Sequence, residues 1–283
     1  TIDVSANLTQ RGFTLSRAVL DSLAGGTLDD GAYVVRLQAT DAAGLSSNIV
    51  EIPFVLDTSR PDRPTTPDLS AASDSGQVDS DNITNNLTVD ISAGGEAEST
   101  LTLFVEGVAA GQVVVPAASA TDFNVTLDAG QQRISTQVED IAGNVSFFSN
   151  LLIVNVDVVP PTLPTFGLDV PSDTRPFKDN ATNLENVRLI GVSDPLIDVQ
   201  LVETGATAFT QDDGSFAFKR IGLPDVGDYD FTVTATDIAG NTIQGVSTVS
   251  RVEFDPNTDL LRPEVSVSLS QETATVGDVI QVT

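Results

Sequence analysis

Carboxylates dominate the side chains here that could do chemistry: 40 Asp and Glu stand against 13 Lys and Arg, for a formal charge of −27. The chain has no His, Cys, Met or Trp. Imidazole and thiolate chemistry is therefore absent, and with it Ser-His-Asp or Cys-His catalysis and the usual zinc, copper, haem and iron-sulfur sites. What remains is hard oxygen-donor chemistry, which suits cations such as calcium. So acidic a surface repels phosphate backbones and anionic lipid, so neither nucleic acid nor membrane insertion is expected.

The acids are not scattered. Asp41-Ala42-Ala43-Gly44, Asp140-Ile141-Ala142-Gly143-Asn144 and Asp237-Ile238-Ala239-Gly240-Asn241 recur at steps of 97 to 99 residues. Gly31, Gly130 and Gly227 keep the same step, and Asp57, Asp157 and Asp255 follow at 100 and 98 residues. Pro61, Pro160-Pro161 and Pro256 follow those acids as stiff joints. Asp81-Asn82-Ile83-Thr84-Asn85 is matched by Asp179-Asn180-Ala181-Thr182-Asn183. A period of about a hundred residues predicts a partial unit over 1–57, complete units over 58–157 and 158–255, and the opening of another over 256–283. With no initiator Met, the sequence reads as an interior piece of a longer chain.

The elements that must position these acids are strands. Tyr33, Val35, Leu37 and Ala39 alternate with exposed or small residues, and Tyr229, Phe231, Val233 and Ala235 repeat that phase. Gln132, Ile134, Thr136 and Val138 keep the rhythm in the middle copy. Leu101, Leu103 and Val105, then Leu152, Val154 and Val156, then Ile197, Val199 and Leu201 mark further strands. No segment shows a helical period with caps. About seven short strands per hundred residues predicts an all-β chain of tandem immunoglobulin-like antiparallel β-sandwiches arranged end to end. Tyr33 and Tyr229, each behind a Gly-containing turn, are placed to form tyrosine corners. Phe147-Phe148 is expected to pack in a last strand.

The Asp-x-Ala-Gly-Asn endings, with Ser73-Asp74-Ser75-Gly76 through Asn85 and Gly94-Gly95-Glu96-Ala97-Glu98, resemble the tandem Ig-like repeats of large bacterial surface adhesins of the biofilm-associated protein type. The resemblance covers essentially the whole chain. The third unit departs from it, with Asp173-Thr174-Arg175-Pro176-Phe177-Lys178-Asp179 in place of the Ser-Asp-Ser-Gly run and Asp194-Pro195 in place of Ala97-Glu98. Arg262-Pro263 through Gly277-Asp278 resembles the start of another subtype. The resemblance implies a secreted stalk on the bacterial cell surface, with many members binding calcium at their joints.

Ig topology itself sends particular loops to particular poles. The A–B loop and the end of the last strand share one pole; the B–C and F–G loops share the other. Asp79, Asp81, Asn82 and Asp157 are thereby expected to face Asp194 and Asp237 across one joint. Asp57, Glu98 and Asp140 would build the joint above, and Asp173, Asp179 and Asp255 the joint below. Carboxylates crowded together repel unless a cation lies between them, and calcium accepts six to eight oxygens in loose geometry. The other reading of the same residues is turn chemistry, in which Asp and Asn cap their own backbone.

Catalysis is not expected, since a glycosidase acid pair needs a cleft that small sandwiches in series rarely offer. The function expected is a calcium-rigidified, monomeric stalk segment of a secreted adhesin, contacting neighbouring Ig-like repeats of its own chain and holding a receptor-binding region elsewhere. One alternative is a surface-layer or filament subunit. Another is a set of accessory modules of a secreted carbohydrate-active enzyme, for which an exposed aromatic platform is wanting.

Overall fold

The computed structural model describes residues 8–9, 12–116, 120–174 and 176–254. The expected module opening over 256–283 lies outside them. The chain divides into two compact units: Thr1–Asp74 with Val78–Val156, and Ser75–Gln77 with Asp157–Thr283.

The first unit opens with a short pairing of β1 (Leu8–Thr9) with β2 (Gly12–Phe13) and a helix α1 (Arg17–Ala24). The helix corrects the expectation of none. Two turns are too few to show a period, but its caps are in the sequence. Ser16 accepts from the Val19 amide, and Gly25 ends the helix in the left-handed region at φ 82°. Arg17 and Asp21 pair one turn apart at 2.8 Å. A hairpin of β3 (Gly31–Leu37) and β4 (Val50–Leu56) follows, and the Tyr33 hydroxyl donates to the Asp29 carbonyl at 2.8 Å.

The sandwich of this unit is built from β5 (Asp68–Leu69), β6 (Ile83–Thr84), β7 (Thr88–Ala93), β8 (Thr100–Val105), β9 (Val108–Val114), β10 (Thr121–Thr126), β11 (Gly130–Glu139) and β12 (Leu152–Val156). One sheet has the order β10-β7-β5, the other β6-β12-β11-β8-β9. All pairings are antiparallel except β6 with β12. The predicted phase holds: Gln132, Ile134, Thr136 and Val138 are buried along β11, and Leu101, Leu103, Val154 and Val156 close the core from the neighbouring strands. Side chains of this kind each contribute about 1.5–3 kcal/mol on burial. Phe147 and Phe148 lie outside the strands and are exposed, against expectation. Arg60 covers the Phe147 ring at 4.3 Å, and Phe148 packs edge-on against Phe104.

The second unit repeats the plan with β13 (Thr165–Leu168), β14 (Ala181–Thr182), β15 (Asn186–Val192), β16 (Asp198–Leu201), β17 (Ala206–Phe209), β18 (Ser215–Gly222), β19 (Gly227–Thr236) and β20 (Thr242–Arg251). Its sheets are β13-β15-β18 and β14-β20-β19-β16-β17, strand for strand the order of the first sandwich. Phe231, Val233 and Ala235 meet Val199, Leu201, Leu189 and Phe218 in the core. The Tyr229 hydroxyl donates to the Asp225 carbonyl at 2.9 Å, the second tyrosine corner. The fold is thus all-β and Ig-like, with one short helix among the described residues.

Candidate metal-binding loops and joints

The Asp-x-Ala-Gly-Asn turn after β11 shows what its residues do. Asp140 accepts from the Asn144 backbone amide at 2.8 Å and from the Asn144 side-chain amide at 2.9 Å. Thus clamped, the Asn144 side chain donates onward to the Asp57 carbonyl at 3.1 Å, so the turn grips the segment that enters the sandwich. The second unit repeats the device. Asp237 holds the Asn241 backbone and side-chain amides at 2.8 and 2.9 Å, and Asn241 donates to the Asp157 carbonyl at 2.9 Å. Desolvation opposes ionisation of Asp140, but the hydrogen bonds from Asn144 and the turn amides together hold its carboxyl below the usual range.

Asp194 grips the same entering segment from the B–C side. It accepts from the Thr162 amide at 2.9 Å and from the Thr162 hydroxyl. The Thr162 hydroxyl, then its amide, lower the Asp194 carboxyl from its ordinary value. In the first unit Asp30, which the repeat pattern did not single out, takes the corresponding segment through the Thr58 amide, the Thr58 hydroxyl and the Ser59 hydroxyl at 2.6–2.9 Å. Glu98 is exposed in its loop with φ 63°.

The A–B loops behave differently. Asp79 is exposed in a turn, whereas Asp81 accepts from the Ile83 amide at 3.0 Å and Asp179 from the Ala181 amide at 3.1 Å. Asn82 and Asn180 take left-handed φ of 60° and 61°, conformations that Asn tolerates. Between these residues and β5 lies Asp74, only 5% exposed, and at the matching place in the second unit lies Asp173, 8% exposed. The Ser73 hydroxyl accepts from the Asp90 amide at 2.9 Å, and the Ser172 hydroxyl from the Arg188 amide at 3.0 Å, which anchors each preceding residue to the sheet. Asp74 Oδ2 accepts from the Asn82 amide at 2.9 Å, and Asp173 Oδ2 from the Lys178 amide at 2.6 Å. The Oδ1 atom of each is buried without a partner among the described residues. Burial, reinforced by the charge of Asp81, pushes the Asp74 carboxyl above its usual range against the amides of Asn82 and Ile83.

Of the acids expected to share joints, Asp57 and Asp157 supply backbone carbonyls to the Asn clips, while their carboxylates accept from Ser59 and Val159 amides at 2.9 Å. Asp79, Asp81 and Asn82 belong to the first compact unit and Asp157, Asp194 and Asp237 to the second. Asp255 lies outside the described residues. Among the described residues no three acidic side chains gather into a group that could hold a metal ion. In the A–B loops a buried carboxylate oxygen at 74 and again at 173 lacks a donor among the described residues, which is where an oxygen-coordinated cation would fit. Sequence reasoning included Asp173 and passed over Asp74, although both sit one 99-residue step apart. Ser75–Gln77 count with the second unit: the Ser75 hydroxyl donates to the Ala239 carbonyl at 2.6 Å, and a Cβ on Gly76 would fall 2.1 Å from the Ile238 carbonyl oxygen. No described helix is long and apolar enough to cross a membrane.

No curated protein matches the chain. Among solved structures it is similar to a Ca2+-stabilised adhesin that helps an Antarctic bacterium reach out and bind ice, at 21% identity over 79% of this chain and 57% of that one, with a TM-score of 0.42. A 1.5-MDa bacterial ice-binding adhesin is 19% identical over 80% of this chain and 74% of that one, with a TM-score of 0.40. A tetra-tandem repeat from the extending region of a large adhesion protein is 20% identical over 80% and 58%, with a TM-score of 0.29. Residues 61–158 match the family model of a bacterial Ig-like domain. The matched span, about a third of the chain, holds the whole two-sheet sandwich of the first unit and is similar to that family.

Proposed function

We propose that this chain is a structural spacer of a secreted bacterial surface adhesin, a non-catalytic run of Ig-like modules stiffened by calcium. The observation that carries the reading is the clip repeated in both units, in which an Asp-held Asn side chain bonds the carbonyl of the entering segment, Asp57 in one case and Asp157 in the other. A clip of that kind fixes how a linker enters a sandwich, which serves a module that transmits force and has no use in a catalytic cleft.

Calcium is the proposed ion because the donors present are carboxylate, amide and carbonyl oxygens, and because two buried Asp oxygens recur without partners among the described residues. Asp74 and Asp81 would hold it in the first unit, completed by backbone carbonyls and water, and Asp173 and Asp179 in the second. A bound divalent ion supplies positive charge there, and the chain's own contribution is to hold Asp74 and Asp173 in place through the Ser73 and Ser172 anchors.

Titration calorimetry of calcium into the chelator-treated chain tests this, with thermal melts alongside. Wild type is expected to bind and to gain melting temperature, and Asp74→Asn with Asp173→Asn to lose both effects. Binding heats that the double variant leaves unchanged would remove these loops from the site.

A further inference from the structure

The two sandwiches share their strand order but differ in the chemistry of one outer face. In the first unit the sheet β10-β7-β5 turns Leu69, Ile91 and Phe123 into the core, and alternation sends Asp68, Ser92 and Asp122 outward. Register places those three in a single row across the sheet. Asp90 stands in the next outward row, bonded to the Asn124 side chain at 2.7 Å. This face is acidic and carries only short side chains.

In the second unit the sheet β13-β15-β18 carries Ile190 and Val192 on its outer face, 39% and 51% exposed. Gly167 and Ala217 flank Ile190 in register, so it stands between two small residues, and the open depression of about 820 Å³ that they line continues round the sheet edge to Ala208 and Phe209 of β17. Lys219 lies exposed at one end beside Arg188, whose guanidinium reaches Asp169 at 3.3 Å. The core lies on the opposite side of this sheet, so the sandwich itself does not bury these side chains. Composition gives no reason for the charge, since a chain with 13 cations and 40 anions places two cations beside that depression.

We propose that this apolar and basic face docks the acidic outer face of the first unit in a second copy of the chain. The charges are opposite, with Lys219 and the Asp169-paired Arg188 on one side and Asp68, Asp90 and Asp122 on the other. Both faces are three-stranded and pleated in the same strand order, so their rows share one spacing and one sense of twist, and sheets of that kind stack about 10 Å apart. The short Ser, Asn and Asp side chains of the acidic face leave room for Ile190 and Val192. The contact is heterologous, since different patches of the two copies meet. It departs from the monomeric behaviour expected from the sequence, and it does not depend on calcium.

Salt acts on this contact in opposing senses, screening both the local attraction and the long-range repulsion between chains of charge −27. Charge reversal is therefore the sharper probe. Sedimentation velocity of the full chain, from micromolar to submillimolar concentration and in both calcium and chelator, is expected to show weight-average sedimentation rising with concentration. Ile190→Glu with Lys219→Glu is expected to weaken association about tenfold or more, and Asp68→Lys with Asp122→Lys likewise. Joining Lys219→Glu to Asp122→Lys in one chain is expected to restore it. All these positions are at the surface, and unchanged melting temperatures establish that the variants fold. Concentration-independent sedimentation of wild type overturns the proposal, as does association that neither reversal weakens. A monomeric wild type that binds alginate, and loses it with Ile190→Glu and Lys219→Glu, would assign the face to an acidic glycan instead.

Discussion

At the scale of single residues, the acids here divide into those whose charge the fold welcomes and those whose charge it resists. Asp140 is of the first kind, and it aims the Asn144 side chain at the Asp57 carbonyl; Asp237 orients Asn241 toward the Asp157 carbonyl by the same hydrogen bonds. Asn144→Ala or Asn241→Ala removes two side-chain hydrogen bonds, and each is expected to cost about 1–2 kcal/mol in denaturant unfolding with an unchanged m-value. Asp194 and Asp74 should respond to acid with opposite sign. The Asp194 carboxyl is lowered by Thr162, so its stabilisation is present above the ordinary carboxylate value near pH 4 and lost as pH falls through its depressed folded value. Asp194→Asn is expected to destabilise at pH 7 and to differ less from wild type near pH 3. The Asp74 carboxyl is raised by burial and Asp81, so its favourable contribution exists below about pH 4 and disappears as pH rises through the folded value. In chelator at pH 7, Asp74→Asn is accordingly expected to melt no lower than wild type. A marked drop would mean that the ionised carboxylate is satisfied without a cation.

At the scale of elements, the strands were legible because each sheet has one buried face, and a period of two then fixes which residues enter the core. Ile134 and Val138, or Phe231 and Val233, read inward from their alternation alone. The tyrosine corners were legible for a similar reason, a Gly turn leading a Tyr into the strand. Helix α1 escaped because its signal is in the Ser16 and Gly25 caps and hardly in its eight residues. Phe147 and Phe148 escaped because an aromatic pair beside strands reads as core, while Arg60 and Phe104, which cover them, are 87 and 44 residues away. The candidate site was legible as a repeat of Asp and Asn but not as a role. Which oxygen of Asp74 finds an amide depends on where the Asn82 backbone turns, and that is set by the tertiary fold. Packing predictions belong at this scale. Leu103→Ala, at a fully buried position in β8, is expected to cost about 2–5 kcal/mol. A Cβ on Gly245 in β20 would fall 2.1 Å from the Pro164 carbonyl oxygen, so Gly245→Ala must displace backbone. Hydrogen exchange should show lost protection in β19 and β20 for Gly245→Ala, and in β8 and β11 for Leu103→Ala.

For the whole molecule, the governing quantity is a net charge of −27 on 283 residues. Like charges at this density oppose compaction, and the opposition reaches about 30 Å at 0.01 M salt but only about 10 Å at 0.1 M. Sodium chloride should therefore raise the melting temperature over that range and then level off, since screening saturates once the Debye length falls below the spacing of surface charges. Calcium binding differs in form. An ion held by the folded state alone adds RT ln(1 + [L]/Kd), about 2.7 kcal/mol at a hundredfold excess over Kd, and keeps adding as concentration rises. It also discriminates, because magnesium holds its waters and demands stricter geometry than a loop of carboxylate and carbonyl oxygens supplies. Differential scanning calorimetry at fixed ionic strength separates the two effects. Millimolar calcium is expected to raise the transition further than sodium at matched ionic strength, and further than magnesium at matched concentration. That excess should vanish in the chain carrying Asp74→Asn and Asp173→Asn. Equal shifts from all three salts would reduce the acidity to a matter of screening, with the Asp-Asn clips alone holding the linkers.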